Sequence, residues 1–66
     1  MYKIEQQTLK QVIDELEDRY TSIRLYKENG VWIGTFSRDD AIKQYGDLKY
    51  WCGYSESCTE ISIWIY

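Results

Sequence analysis

The chain has 66 residues, enough for one hydrophobic core and too few for two, since a domain of this size buries only about 60% of the surface its unfolded form exposes. With 44% hydrophobic and 29% charged residues it is excluded from the disordered and low-complexity classes, and its net charge of −3 argues against tight non-specific binding to phosphate backbones. No apolar run nears the roughly 18 residues of a membrane span, and Met1-Tyr2-Lys3-Ile4-Glu5 lacks the layout of a signal peptide, so a cytoplasmic location without membrane contact is expected.

Taken in chain order, Thr8-x-x-Gln11 has the spacing of a capping box and opens an apolar series at helical period: Leu9, Val12, Ile13, Leu16 and Tyr20. A first helix is predicted from Thr8 to Tyr20. Its outward face carries Asp14, Glu15, Glu17 and Asp18, partly balanced by Lys10 and Arg19 at four-residue spacing from Asp14 and Glu15.

Two alternating runs, Ser22 to Glu28 and Val31 to Phe36, flank Asn29-Gly30, a strong hairpin signal. A two-residue loop pairs Lys27 with Trp32, Tyr26 with Ile33, Leu25 with Gly34, Arg24 with Thr35 and Ile23 with Phe36. One face then gathers Ile23, Leu25, Trp32, Gly34 and Phe36, and Gly34 there would let a helix approach the sheet closely.

Ser37-x-x-Asp40 repeats the capping pattern, with Phe36 and Ala41 placed as a hydrophobic staple and Gly46 as a left-handed stop. The second helix is predicted over residues 38–45. From Leu48 to Tyr54 alternation resumes, putting Leu48, Tyr50, Cys52 and Tyr54 on one side and Lys49, Trp51 and Gly53 on the other. Ser55-Glu56-Ser57 reads as a turn. The last run, Thr59 to Tyr66, alternates cleanly, with Ile61, Ile63 and Ile65 inward and Ser62, Trp64 and Tyr66 outward, as an interior strand would.

The order α-β-β-α-β-β predicts a single α+β domain over residues 1–66, with two helices packed on one face of a four-stranded, mostly antiparallel sheet. It also invites a reading as two α-β-β units related as an architectural repeat.

The residue inventory speaks against an enzyme. There is no His to shuttle protons, and Cys52 and Cys58 have no basic run in their own segments to lower a thiol pKa. A four-ligand zinc site would need two carboxylates besides these thiols, so no metal and no cofactor is expected. In a reducing cytoplasm the two Cys default to free side chains, a bridge across the last hairpin being the alternative. The pairs Asp14 with Asp18 and Asp39 with Asp40 fall on solvated helix surface rather than in a cleft, and the four glycines are scattered, so no phosphate-cradling loop emerges.

The sheet face turned away from the helices is more informative, because no third helix remains to cover it. It is expected to present Tyr26, Ile33, Trp64 and Tyr66, together with Arg24, Val31 and Thr35, and from the third strand either Trp51 or Tyr50 and Tyr54, unless Tyr2 and Ile4 fold over part of it. Large rings on an open surface supply contact area for few frozen torsions, which suits a protein partner or a second copy of the chain. A second candidate surface is the acidic one of Asp14, Glu15, Glu17 and Asp18, which would fit a basic groove. Stacking of unpaired bases on the rings, with Arg24 and Lys49 at phosphates, is the nucleic-acid alternative and sits poorly with the acidic balance.

Over Ser37-Arg38-Asp39-Asp40-Ala41-Ile42-Lys43-Gln44-Tyr45-Gly46-Asp47 and the alternating strand after it, about a third of the chain, the sequence resembles small accessory proteins encoded by phages and prophages of Gram-positive bacteria. The resemblance implies a mobile-element origin and action in a bacterial host cell. Small acidic proteins of that origin often resemble anti-CRISPR or anti-restriction inhibitors, which block the nucleic-acid groove of a nuclease. This chain departs from the strongest DNA mimics in being mildly acidic, with eight Lys and Arg against eleven Asp and Glu.

Overall fold

The computed structural model describes residues 7–66; Tyr2 and Ile4, considered above as a possible cover for the sheet, lie outside them. Helix α1 (Leu9–Glu15) leads into β1 (Ser22–Lys27) and β2 (Trp32–Ser37), then α2 (Arg38–Tyr45), β3 (Tyr50–Ser55) and β4 (Glu60–Ile65). The strands form one mixed sheet in the order β2-β1-β4-β3. Each hairpin is antiparallel, and the two hairpins join through a parallel central pair, β1 with β4. The chain between β2 and β3 must therefore pass from one edge of the sheet to the other, and α2 makes that crossing.

This order breaks the repeat reading. The first hairpin places its first strand at the centre, whereas the second places its second strand there, so no rotation maps one α-β-β unit onto the other.

The parallel register sets Ile23 beside Ile61 and Leu25 beside Ile63, giving the central strands one continuous apolar stripe. Ile23, Leu25, Ile63 and Ile65 share a buried cluster with Leu9 and Ile13 of α1 and Ala41 of α2. Both helices thus supply the core on that side of the sheet. Each fully buried Leu or Ile contributes roughly 1.5–3 kcal/mol, so a chain this short depends on nearly every member.

Helix α1 begins as its capping box dictates. Gln11 N–H donates to Thr8 Oγ1 at 3.3 Å, and Thr8 N–H to Gln11 Oε1 at 2.8 Å. It then ends at Glu15, short of the predicted Tyr20 by more than a turn, because Leu16 turns extended at φ −68°, ψ 146°. A single side chain gathers four carbonyls from the end of α1 and the turn after it. Arg38 donates from Nη2 to Ile13 O at 2.6 Å and Leu16 O at 3.1 Å, and from Nη1 to Glu17 O at 2.7 Å and Tyr20 O at 3.0 Å. A guanidinium offers a fixed fork of donors, which suits a chain folding back around it.

The other end of α1 is held by the loop after α2. Leu9 N–H donates to Leu48 O at 2.8 Å and Lys10 N–H to Gly46 O at 3.1 Å, satisfying donors that no residue within a helix can reach. Gly46 is right-handed at φ −59°, not the left-handed stop predicted. Glycine is required there for space, since a Cβ would collide with the Ile42 carbonyl.

Helix α2 matches its predicted bounds, with Asp40 N–H donating to the Ser37 N-cap hydroxyl at 3.2 Å. The Phe36 ring meets Tyr45 edge-on, with centroids 5.4 Å apart, and also lies over Gly34, where a Cβ would come within 3.2 Å of it. The missing side chain at Gly34 thus makes room for an aromatic ring rather than for a helix.

Candidate partner-binding face

The face opposite the core is assembled by register. Its central strands contribute Ser22, Arg24 and Tyr26 from β1, paired in parallel with Glu60, Ser62 and Trp64 of β4. Alternation with the buried Ile23, Leu25, Ile63 and Ile65 turns these side chains away from the helices.

Two single-residue bulges decide what the edge strands add. In the first hairpin the loop holds three residues rather than two: Lys27 N–H donates to Val31 O at 2.9 Å, and Gly30 closes the turn at φ +86°. That is the geometry of a turn finished by a left-handed glycine. It sets Trp32 opposite Tyr26, yet Gly34 still lies opposite Leu25, leaving Ile33 as the extra residue. One inserted residue reverses which face the neighbours occupy. Ile33, expected on the open face, packs instead against the core, and Trp32, expected in the core, is 49% exposed beside Tyr26.

In β3, Tyr50 lies opposite Ile65 and Cys52 opposite Trp64, so Trp51 is the extra residue. Tyr50 turns to the core side, where burial lifts its phenol above the ordinary 10.0, with nearby Cys52 adding to the rise. Cys52 and Tyr54 join the open face, opposite Trp64 and Ser62.

The result is a face with two ends. At the end where β1 and β4 finish, a row of rings crosses three strands. Trp32 meets Tyr26 edge-on at 5.2 Å, and Tyr26 stacks on Trp64 at 4.8 Å with only 14° between the planes. Trp51 and Tyr66, both exposed, meet at 6.2 Å. All three Trp thus carry exposed or half-buried rings within this end of the sheet.

The opposite end is polar. Ser22 donates to Glu60 Oε2 at 3.3 Å, the fully buried Ser62 donates to Glu56 Oε1 at 2.8 Å, and Arg24 Nη1 lies 3.8 Å from Glu60 Oε1. The Arg24 guanidinium also lies over the Trp32 ring, 5.1 Å from its centroid, and so links the two ends.

The acidic residues are less united than a helix would make them. Asp14 and Glu15 close α1, whereas Glu17 and Asp18 belong to the turn after it. Lys10 pairs with Asp14 at 3.2 Å, as the helical spacing predicts. Arg19 pairs with Glu17 at 3.0 Å rather than with Glu15, because the helix has ended before it. Half the row is thereby neutralised by neighbours.

Cys52 and Cys58 are both exposed and unpaired. Cys52 is level with Trp64, while Cys58 lies in the turn beyond the Ser55–Ile61 pair. Three residues of strand separate those levels, about 10 Å, which exceeds the Cα separation a disulfide tolerates.

Among the described residues no three His, Cys, Asp or Glu side chains gather around a point that would suit a metal ion, and no helix is long and apolar enough to cross a membrane. No family model matches the chain, and no curated protein or solved structure matches it either.

Proposed function

We propose that this chain is a non-enzymatic protein-binding module whose partner surface is the open face of its sheet. The observation that carries the reading is the row Trp32–Tyr26–Trp64 on a side of the sheet to which neither helix contributes. The exposed Trp32 and the half-buried Tyr26 and Trp64 are already held in place by one another, so a partner gains apolar contact without the cost of ordering them. A surrounding of Ser, Arg and Glu side chains supplies the polar rim typical of such surfaces.

The more specific role is that of a phage-borne inhibitor of a host defence enzyme that targets nucleic acids. It draws support from the acidic balance of the chain and the exposed Asp14, Glu15, Glu17 and Asp18. Pairing of Asp14 and Glu17 with neighbouring cations thins that surface, which is why the ring-bearing face is put first. Single-stranded nucleic acid fits the face less well, since Arg24 is already engaged by Glu60 and Trp32.

Capture from a bacterial lysate by the immobilised chain tests the reading. Trp32→Ala and Trp64→Ala, confirmed folded by circular dichroism, should each weaken capture of a given partner at least tenfold. Undiminished capture by both would overturn it. Neutralising the four acidic residues together, with no loss, would confine the partner to the sheet.

A further inference from the structure

We infer that Asn29 is a site of spontaneous covalent modification: the backbone nitrogen of Gly30 attacks its side-chain amide, and the isoaspartyl linkage that results takes Trp32 out of the row of rings. The inference does not rest on the protein-binding reading, which bears only on what the change does to a partner.

The tip of the first hairpin brings the reacting groups together and leaves them open to water. Asn29 and Gly30 are both exposed, and nothing lies within 4 Å of the place a Cβ would take on Gly30. A glycine nitrogen has no side chain beside it to hinder its approach to the neighbouring Cγ. The Asn29 side chain is held in place, since Val31 N–H donates to its Oδ1 at 3.1 Å. That donor stands where negative charge develops when a nucleophile adds to Cγ, so it polarises the amide and stabilises the tetrahedral intermediate. The chain has no other Asn, and none of its glycines follows an Asp. The hairpin tip is therefore the one place where a five-membered imide closes on an unhindered nitrogen.

The reaction balances with water alone. Gly30 N, its proton lost to solvent, forms a bond to Asn29 Cγ; the Cγ–Nδ2 bond breaks, and ammonia departs with a proton from water. A second water then opens the imide. Cleavage at Cγ gives aspartate. Cleavage at the Asn29 carbonyl carbon gives isoaspartate, in which the main chain runs through Cβ and Cγ and the α-carboxylate is left free. Either product carries an added negative charge, and only the isoaspartyl one lengthens the main chain, by a single atom.

One hydrogen bond opposes the attack. Gly30 N–H donates to Lys27 O at 2.8 Å and must leave it before the nitrogen can react. Lys27 and Gly30 are both exposed, so this opening is local and needs no unfolding of the sheet.

The added atom falls inside the loop whose length sets the pairing of the hairpin. Lys27 N–H donates to Val31 O at 2.9 Å, and that three-residue closure puts Trp32 opposite Tyr26. A longer main chain between Asn29 and Gly30 no longer fits the closure. Trp32 then loses its edge-on contact with Tyr26 at 5.2 Å. The Tyr26–Trp64 stack belongs to the β1–β4 pair and is kept.

Prolonged incubation of the folded chain at mildly alkaline pH tests this, followed by intact mass, peptide mapping and enzymatic methylation of isoaspartyl groups. The mass should rise by the exchange of an amide nitrogen for oxygen, at Asn29, with isoaspartate as the main product. Conversion should quicken with pH, because the attacking nitrogen must be deprotonated. Asn29→Gln should not convert, since its longer side chain closes only the slower six-membered ring. In the purified isoaspartyl form, ring contacts between Tyr26 and Trp32 seen by NMR should vanish while those between Tyr26 and Trp64 remain.

A folded chain that keeps its Asn29 amide, under conditions that convert the same chain unfolded in urea, overturns the site. An isoaspartyl form that retains the Tyr26–Trp32 contact overturns the consequence drawn from it. Capture of a given partner by the isoaspartyl form should be weaker than by Asn29→Gln, by roughly tenfold or more. Equal capture by a form proven to have lost the Trp32 contact would remove Trp32 from the partner surface while leaving the modification standing.

Discussion

Arg38 Nη2 lies 2.6 Å from the carbonyl oxygen of Ile13, so the first residue of α2 closes the last turn of α1. The same guanidinium reaches three further carbonyls in the turn that follows. It sits where a helix dipole is negative and does the work of a C-cap that the local sequence Leu16-Glu17-Asp18 does not supply. Removing it takes the guanidinium donors from the Leu16 and Tyr20 carbonyls, whereas the Ile13 and Glu17 carbonyls keep the backbone N–H of Leu16 and Tyr20. Arg38→Ala is expected to lower unfolding stability by roughly 2–3 kcal/mol in urea denaturation, and Arg38→Lys to recover less than half of that, because an ammonium cannot span four acceptors. A loss under about 0.5 kcal/mol for Arg38→Ala would show that water replaces the fork at no cost.

Stacking of Tyr26 on Trp64 should be measurable as a coupling. In a double-mutant cycle with Tyr26→Ala and Trp64→Ala, the interaction energy is expected at about 0.5–1.5 kcal/mol, beyond the area each ring buries. Strict additivity would mean that the rings are neighbours without attraction.

Gly30 closes the first hairpin at φ +86°, where a side chain is strained. Gly30→Ala should cost about 1 kcal/mol, and Gly30→Asn less, since Asn tolerates that region better. Because nothing lies within 4 Å of a Cβ placed there, any larger loss would have to come from the backbone rather than from a clash.

Both thiols should react with a soluble disulfide reagent in the native state, and Cys52→Ser with Cys58→Ser should change stability by less than about 0.5 kcal/mol. A monomeric chain with no titratable thiol in a non-reducing preparation would contradict the register that separates them.

The raised pKa of Tyr50 ties stability to alkaline pH. Burial disfavours the phenolate, so the folded chain holds this proton more tightly than the unfolded chain. The sign follows: the contribution is complete below the unfolded value of 10.0 and is lost as pH climbs through the higher folded one. Stability measured above pH 10 should therefore fall less steeply for Tyr50→Phe than for the wild-type chain. Parallel curves would mean that the two states titrate this phenol alike.

Much of the candidate face is legible along the chain, and the exchange of Ile33 with Trp32 on it has one cause. Period-two alternation puts Tyr26 and Trp64 on the same side of the sheet, and the register bears this out because no bulge intervenes between β1 and β4. Ile33 and Trp32 exchanged faces because a three-residue loop shifts pairing by one and the bulge shifts it back, so the rest of the hairpin keeps its predicted register. The Asn29-Gly30 signal marks the turn but does not distinguish these two loops.

What the chain order determines by itself is local: the caps at Thr8 and Ser37, the bounds of α2, the turn at Gly30 and the inward Ile61, Ile63 and Ile65. Each follows from side chains a few residues apart, whose hydrogen bonds and periodicity act before any distant contact forms. Tertiary structure alone decided the parallel β1–β4 centre, the early end of α1 under Arg38 and the join between Trp32, Tyr26 and Trp64. Those depend on groups up to 38 residues apart, as in Tyr26 beside Trp64, and only packing of the whole core selects which of them meet.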